Sequence, residues 1–238
     1  MTSALNDALV STWVTGWARC REYEVRHDGR IHAALRAGED DGAVGDWEYV
    51  LYEPQVEEMT AVAQQVEEHP HRLMTIVGTP RAQAQMSTLQ PLTSGEKLMV
   101  VDMSEQDVET PLVPEEFEAV VDRHDPDWYL LTIQTSDSHP QGAGTVAARG
   151  RVAVVDHHAV FDRIWTSPDF RRRGLGSLVM RYLASVVLEH DVDEGLLVAS
   201  ADGQALYGHL GWTALADVTV LGVPEDHTAD NPSHSDEH

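Results

Sequence analysis

Residues 158–199 hold the pattern that most constrains the fold. His158 to Thr166 reads as a strand, Ser167-Pro168 ends it, and Arg171-Arg172-Arg173-Gly174-Leu175-Gly176 leads into a helix predicted over 174–190. That helix carries Leu175, Leu178, Val179, Tyr182, Leu183, Val186 and Val187 on one side, the spacing of a helix that covers a core. Leu196 to Ala199 then reads as a further strand. The turn between the first strand and the helix has a definite chemistry. A first helical turn presents unpaired N–H groups and the positive end of the helix dipole. Glycine lets an anion approach that backbone, and arginine adds charge and directed donors. The turn is therefore a diphosphate cradle. It is not a P-loop, because no Gly-Lys-Ser/Thr follows, and the first glycine of the dinucleotide fingerprint is missing. A plainer explanation is a basic helix start with glycines for packing. A phosphate-binding fold that takes nucleotides also stays open on these residues alone.

Three consecutive arginines need a reason in this chain, because it carries 40 acidic residues against 16 basic ones, a formal charge of −24. Such a field repels nucleic acid and anionic membranes, and it would suit a cationic amine. Acids also simply keep a protein soluble. No run approaches the roughly 18 apolar residues of a membrane helix, and the N-terminus lacks the pattern of a signal peptide. The expectation is a soluble, cytoplasmic protein. Its 238 residues, 42% of them hydrophobic, suffice for one large domain or two small ones. A lone cysteine, Cys20, excludes an intrachain disulfide and a cysteine-rich metal site. No metal is expected. His227, His234 and His238 belong to an acidic, proline-containing tail over 224–238 that is expected to be disordered.

Before this motif the pattern is looser. Residues 4–22 read as an amphipathic helix, with Leu5, Leu9, Trp13, Trp17 and Cys20 as its core face. A hairpin follows around Asp28-Gly29. A loop is expected at 38–42, strands at 47–52, 73–77 and 97–103, and helices from Pro54 to Glu68 and near 81–89. Residues 104–126 are rich in acids and proline, which predicts a linker and then a short helix around Phe117–Val121. Strands are expected at 128–135 and 143–155, the latter bent near Gly150. After 199 come a short helix over 202–210 and a strand over 212–220.

The cradle and the segment after it resemble the GNAT superfamily of acetyltransferases. The family motif Gln/Arg-x-x-Gly-x-Gly/Ala is matched by Arg171, Gly174 and Gly176. Its Leu-Tyr-x-x-x-Gly-Phe segment is matched by Leu206-Tyr207-Gly208-His209-Leu210-Gly211-Trp212, with Trp212 in the aromatic place. The resemblance covers about residues 128–222. It implies an α/β fold with a mixed, splayed sheet flanked by helices. The element order of the first half resembles the degraded half of tandem members. The division expected is residues 1–110 as this degenerate half, 111–223 as the acetyltransferase domain, and 224–238 as the tail.

The resemblance also implies a site. Acetyl-CoA would lie where the strands over 158–166 and 195–200 part. Backbone groups of Ile164, Trp165 and Thr166 would pair with its pantetheine arm, and the N–H of Ile164 would serve as oxyanion donor. The amides of Arg171, Arg172, Arg173, Gly174, Leu175, Gly176 and Ser177 would hold the pyrophosphate. Ser200 stands where the family often has asparagine. Tyr207 would protonate the leaving thiolate, a role open to a phenol of pKa about 10. Many members carry a glutamate base at the position of Val160. Asp162, two residues on and on the same strand face, is the candidate base, or else a partner for Arg163. His157 and His158 are expected to be exposed turn residues. The implied reaction is acetyl transfer from acetyl-CoA to a small-molecule or peptide amine by direct attack. The alternative is an acyl-CoA-binding sensor with little turnover. A homodimer would be ordinary.

Overall fold

The computed structural model describes residues 4–36, 45–79, 88–106, 109–125 and 127–224. The loop expected at 38–42, the helix expected near 81–89 and the tail histidines lie outside the described residues, apart from the last two positions of that helix. Residues 88 and 89 are not helical.

The first half runs α1 (Asp7–Arg21), β1 (Glu24–Asp28), β2 (Ile31–Arg36), β3 (Asp46–Tyr52), α2 (Val56–Glu68), β4 (Leu73–Val77), β5 (Gln90–Pro91) and β6 (Glu96–Asp102). The second runs β7 (Phe117–His124), β8 (Trp128–Thr135), β9 (Val146–Val155), β10 (His158–Thr166), α3 (Leu175–Val187), β11 (Glu194–Ala199), α4 (Gln204–His209) and β12 (Thr213–Gly222). All strands join one mixed sheet in the order β1-β2-β3-β4-β12-β6-β11-β10-β9-β8-β7, with β5 paired to β12.

The two halves mirror each other about the centre of that order. Each has a parallel pair joined through a helix: β3 and β4 through α2, β10 and β11 through α3. Each sends its last strand across to the other. Strand β6 of the first half pairs with β11, and β12 of the second pairs with β4. The two exchanged strands pair with each other. Backbone hydrogen bonds therefore run unbroken from one half to the other.

Strand alternation decides which helix covers which face. On β6, Leu98 and Val100 face the cluster under α1, while Met99 and Val101 face the cluster under α3. On β3, Val50 faces α1 and Leu51 faces α2. Helix α1 thus spans one face of both halves, and α2 and α3 cover the other. It is seated by Leu9, Val10, Trp13, Val14 and Trp17, all buried, each contributing about 1.5–3 kcal/mol on removal from water. The tryptophans expected as core are core. The helix is also tied at both ends. His32 Nε2 lies 3.3 Å from Asp7 Oδ1 in the first half. Arg151 Nη1 donates to the Cys20 carbonyl at 2.5 Å from the second. Cys20 is fully buried and burial pushes its thiol well up, which leaves it inert.

One local expectation is corrected. Residues 117–121 are not helical; Phe117–His124 is an edge strand paired along its length with β8. The acids at 115, 116 and 118 imitate a helix start, but Phe117 and Ala119 point inward as a strand requires. Strand β9 is irregular where a bend is expected: the register shift of β10 between Asp162 and Trp165 lies opposite Gly150, and a second shift lies opposite Ile133 and Gln134. Gly150 also lets α3 approach, since a Cβ there would stand 2.6 Å from Val179 Cγ1.

Gly16 plays the same part for α1: a Cβ there would collide with Val160 on β10. Gly16→Val should lower stability by about 1–3 kcal/mol, the usual cost of overpacking, read from the denaturation midpoint. An unchanged midpoint would mean that α1 is not seated on β10 as described.

Candidate active site

The site begins where a strand pair stops pairing. Strands β10 and β11 are in register only at His158, Ala159 and Val160, opposite Glu194, Gly195 and Leu196. Beyond these, β11 continues with β6 as far as Ala199. Strand β10 continues with β9 but slips register between Asp162 and Trp165, with Arg163 at φ 52°. A bulge of this kind bends a strand and re-aims its side chains. The strands part around a cavity of about 230 Å³ whose lining includes Asp162, Ile164, Leu197, Ser200 and Tyr207. The first half shows what is special here. Its parallel pair stays zipped over five positions, Glu48 to Tyr52 against Leu73 to Val77.

The helix start beside the gap differs from its counterpart in the same sense. Gly174 is the N-cap of α3 at φ 79°, with no side-chain cap and no acid in the first turn. The first helical bond runs from Leu178 N to Gly174 O at 3.0 Å. A Cβ on Gly174 would meet nothing within 4 Å, so open space adjoins this backbone. Helix α2 instead begins with Glu57 and Glu58, and Glu58 Oε2 accepts from Gln55 N at 2.8 Å. Its own carboxylate occupies the place of an anion. Of these two helix starts, that of α3 leaves room for an anion.

The remaining cradle residues fall around that start. Leu175 is buried in the core and holds the first turn down. Ser177 and Gly174 border a cavity of about 450 Å³ against residues 109–112. Gly176 packs close to Leu206 of α4, where a Cβ would stand 3.1 Å from Cδ2. Arg171 and Arg172 are exposed. Arg173 lies over the Phe170 ring and 3.6 Å from Glu116. Trp165 is exposed beneath Arg149. Thr166 Oγ1 faces Gly176. Ser200 holds the turn into α4, its carbonyl accepting from Gly203 and Gln204 and its Oγ from Gly203.

Tyr207 is buried, with its ring against Trp212, and it lines the gap. Burial, and then the charge of Asp162, push its phenol up to about 12. It is therefore a protonated donor at neutral pH. Asp162 is not free: Arg21 of α1 holds its two oxygens at 2.7 and 2.9 Å. The sequence offers Arg163 as its partner; the fold supplies Arg21 from 141 residues away. Val160 is fully buried beside α1. His157 is exposed as expected, but His158 is half-buried and lies 3.4 Å from Glu194.

Sequence reading misses Arg21, Glu48 and Glu96. Glu96 lines the gap with Tyr207, and Glu48 lies in an adjoining cavity. Their signal is parity. Each acid shares its strand face with inward apolar residues, Glu48 with Val50 and Glu96 with Leu98 and Val100. Among the described residues no three His, Cys, Asp or Glu side chains converge as metal ligands, and no helix is long and apolar enough to cross a membrane.

Residues 100–212 match the model of the acetyltransferase (GNAT) family. The chain carries a GNAT acetyltransferase domain. That match takes in the cradle, the gap, Tyr207 and the end of the exchanged strand β6. The likeness in fold extends beyond that match. A GCN5-related N-acetyltransferase from Kribbella flavida superposes with TM-score 0.65 at 16% identity, covering 95% of this chain and 98% of that one. A tandem GNAT protein from the clavulanic acid biosynthesis pathway gives TM-score 0.52 at 14% identity, covering 92% and 96%. A GCN5-related N-acetyltransferase-like protein from Streptococcus suis gives 0.52 at 12%, covering 90% and 96%. At such identities the likeness concerns the fold. No curated protein sequence aligns significantly with the chain.

Gly174→Glu adds bulk and negative charge at the proposed cradle and strains a positive φ. Calorimetry should find acetyl-CoA binding by the wild type and at least about 100-fold weaker binding by the variant, the scale of roughly two charge-assisted hydrogen bonds. Equal binding by the folded variant would place the pyrophosphate elsewhere.

Proposed function

We propose that the protein is an N-acetyltransferase that moves the acetyl group of acetyl-CoA to a primary amine by direct attack. One observation carries this reading: the parting of β10 and β11 directly beside an uncapped, glycine-started helix. Neither feature is repeated in the first half. Bound acetyl-CoA would supply the thioester. The amides of residues 171–177 bind the pyrophosphate, and the backbone of Ile164, Trp165 and Thr166 adds the pantetheine arm as a strand. The N–H of Ile164 polarises the carbonyl. Tyr207 gives its proton to the leaving sulfur. Residues 111–223 then form the acetyltransferase domain and 1–110 a degenerate partner half, which lends β6 to the working sheet.

A second reading, an acyl-CoA-binding sensor, draws on the absence of a free base on β10. Val160 replaces the family's glutamate and Arg21 occupies Asp162. Asp162 is accordingly an anchor for α1 first, and a base only if that pair opens.

Release of CoA thiol across a panel of amines separates the two readings. Tyr207→Phe should lower the rate by about 100-fold or more, within the range of a lost general acid, and leave acetyl-CoA affinity unchanged. Tyr207 acts in its protonated form, so its contribution is lost only as pH rises through about 12. No alkaline limb below that value should trace to it. Unchanged turnover in Tyr207→Phe would remove its role; a wild type that binds acetyl-CoA but acetylates no amine would favour the sensor.

A further inference from the structure

A larger cavity, about 380 Å³, adjoins the gap. The two share Arg21, Glu96, Phe161, Asp162 and Val198 as lining, so they meet at those side chains. Most of the larger cavity belongs to the first half. Trp13, Trp17 and Tyr23 supply aromatic surface, and Glu48, Thr75 and Glu96 supply polar groups.

Its charges do not balance. Arg21 is committed to both oxygens of Asp162. Arg36 donates to the His71 carbonyl, with its Nε 4.0 Å from Glu48 Oε2. Glu48 Oε1 accepts from the Thr75 hydroxyl at 2.6 Å. Glu96 Oε2 accepts from the Thr93 hydroxyl at 2.8 Å, and among the described residues no cation pairs with it. Burial pushes the Glu48 carboxyl up, and the charge of Glu96 adds to this against Thr75, Arg36 and Arg21. Three carboxylates thus face two guanidiniums, Arg21 bonded to Asp162 and Arg36 within 4.0 Å of Glu48, beside aromatic rings. Such a pocket is relieved by a cation with an apolar stem, which the rings also favour. A carboxylate ligand would meet two further acids, Glu48 and Glu96, and an Arg36 Nε that makes no hydrogen bond but already lies 4.0 Å from Glu48.

We propose that this cavity is the acceptor pocket and that its occupant is a diamine, with Glu96 receiving the reacting nitrogen and Glu48 holding the second cationic group. The proposal rests on the acetyl-transfer reading and gives the first half its task. The proton balance closes. The substrate ammonium gives one proton to Glu96, and its lone pair forms the C–N bond as the C–S bond breaks. The nitrogen then loses a second proton. Tyr207 protonates the sulfur and regains a proton, so one of the two protons ends on the thiol and one in solvent.

The test is calorimetric titration of the full chain, with and without CoA, using 1,5-diaminopentane, pentylamine and 5-aminopentanoate. The diamine should bind at least about tenfold more tightly than pentylamine, the scale of one charge-assisted contact. Glu48→Gln keeps the shape and the Thr75 contact; it should erase that margin and leave pentylamine unchanged. Should Glu48→Gln fail to fold, Glu96→Gln, at a half-exposed position, serves as second variant and should weaken both amines. Gly174→Glu should still bind the diamine. Equal affinity for diamine and pentylamine, tighter binding of 5-aminopentanoate, or a folded Glu48→Gln without effect would overturn the proposal. Diamine binding as described without thiol release would overturn acetyl transfer and keep the pocket. Thiol release without diamine preference would do the reverse.

Discussion

The site depends on hydrogen bonds that are not made. A parallel strand pair that continued past Val160 and Leu196 would close the sheet and leave no groove. The bulge between Asp162 and Trp165 prevents this by turning β10 out of line while β9 still supports it. On the other side, β11 cannot follow, because β6 holds it through Ala199. The gap is thus fixed by two neighbours that pull the strands apart. Helix α3 starts beside it because Gly174 can adopt a positive φ.

The exchanged strands join the two halves in one sheet. Strand β6 belongs to the first half in sequence and to the second half's sheet in space. It brings Glu96 into the gap. Helix α1 does the same on the opposite face, carrying Arg21 onto Asp162 and its tryptophans into the adjoining cavity. The first half thus places side chains at the gap itself.

What is legible in the sequence is local. The cradle, α3, β10 and Tyr207 lie within about fifty consecutive residues, and their periodicities and glycines mark them directly. The strand over 117–124 reads wrongly as a helix because acids at 115, 116 and 118 resemble a helix start, while its edge position leaves Val120 and Val121 exposed. The Arg21–Asp162 pair is illegible because topology alone joins residues 141 apart. Glu48 and Glu96 leave a trace in strand parity, but two acids among 40 are noise until the fold shows which of them face inward. The exchange of β6 and β12 leaves none.

Hydrogen exchange on the full chain, with and without acetyl-CoA, tests the central claim that the second half alone holds the acyl donor. Acetyl-CoA should slow exchange at residues 163–166 and 172–177 and leave 53–58, the equivalent helix start in the first half, unchanged. Equal protection at 53–58, or none at 163–166 and 172–177, would contradict the account.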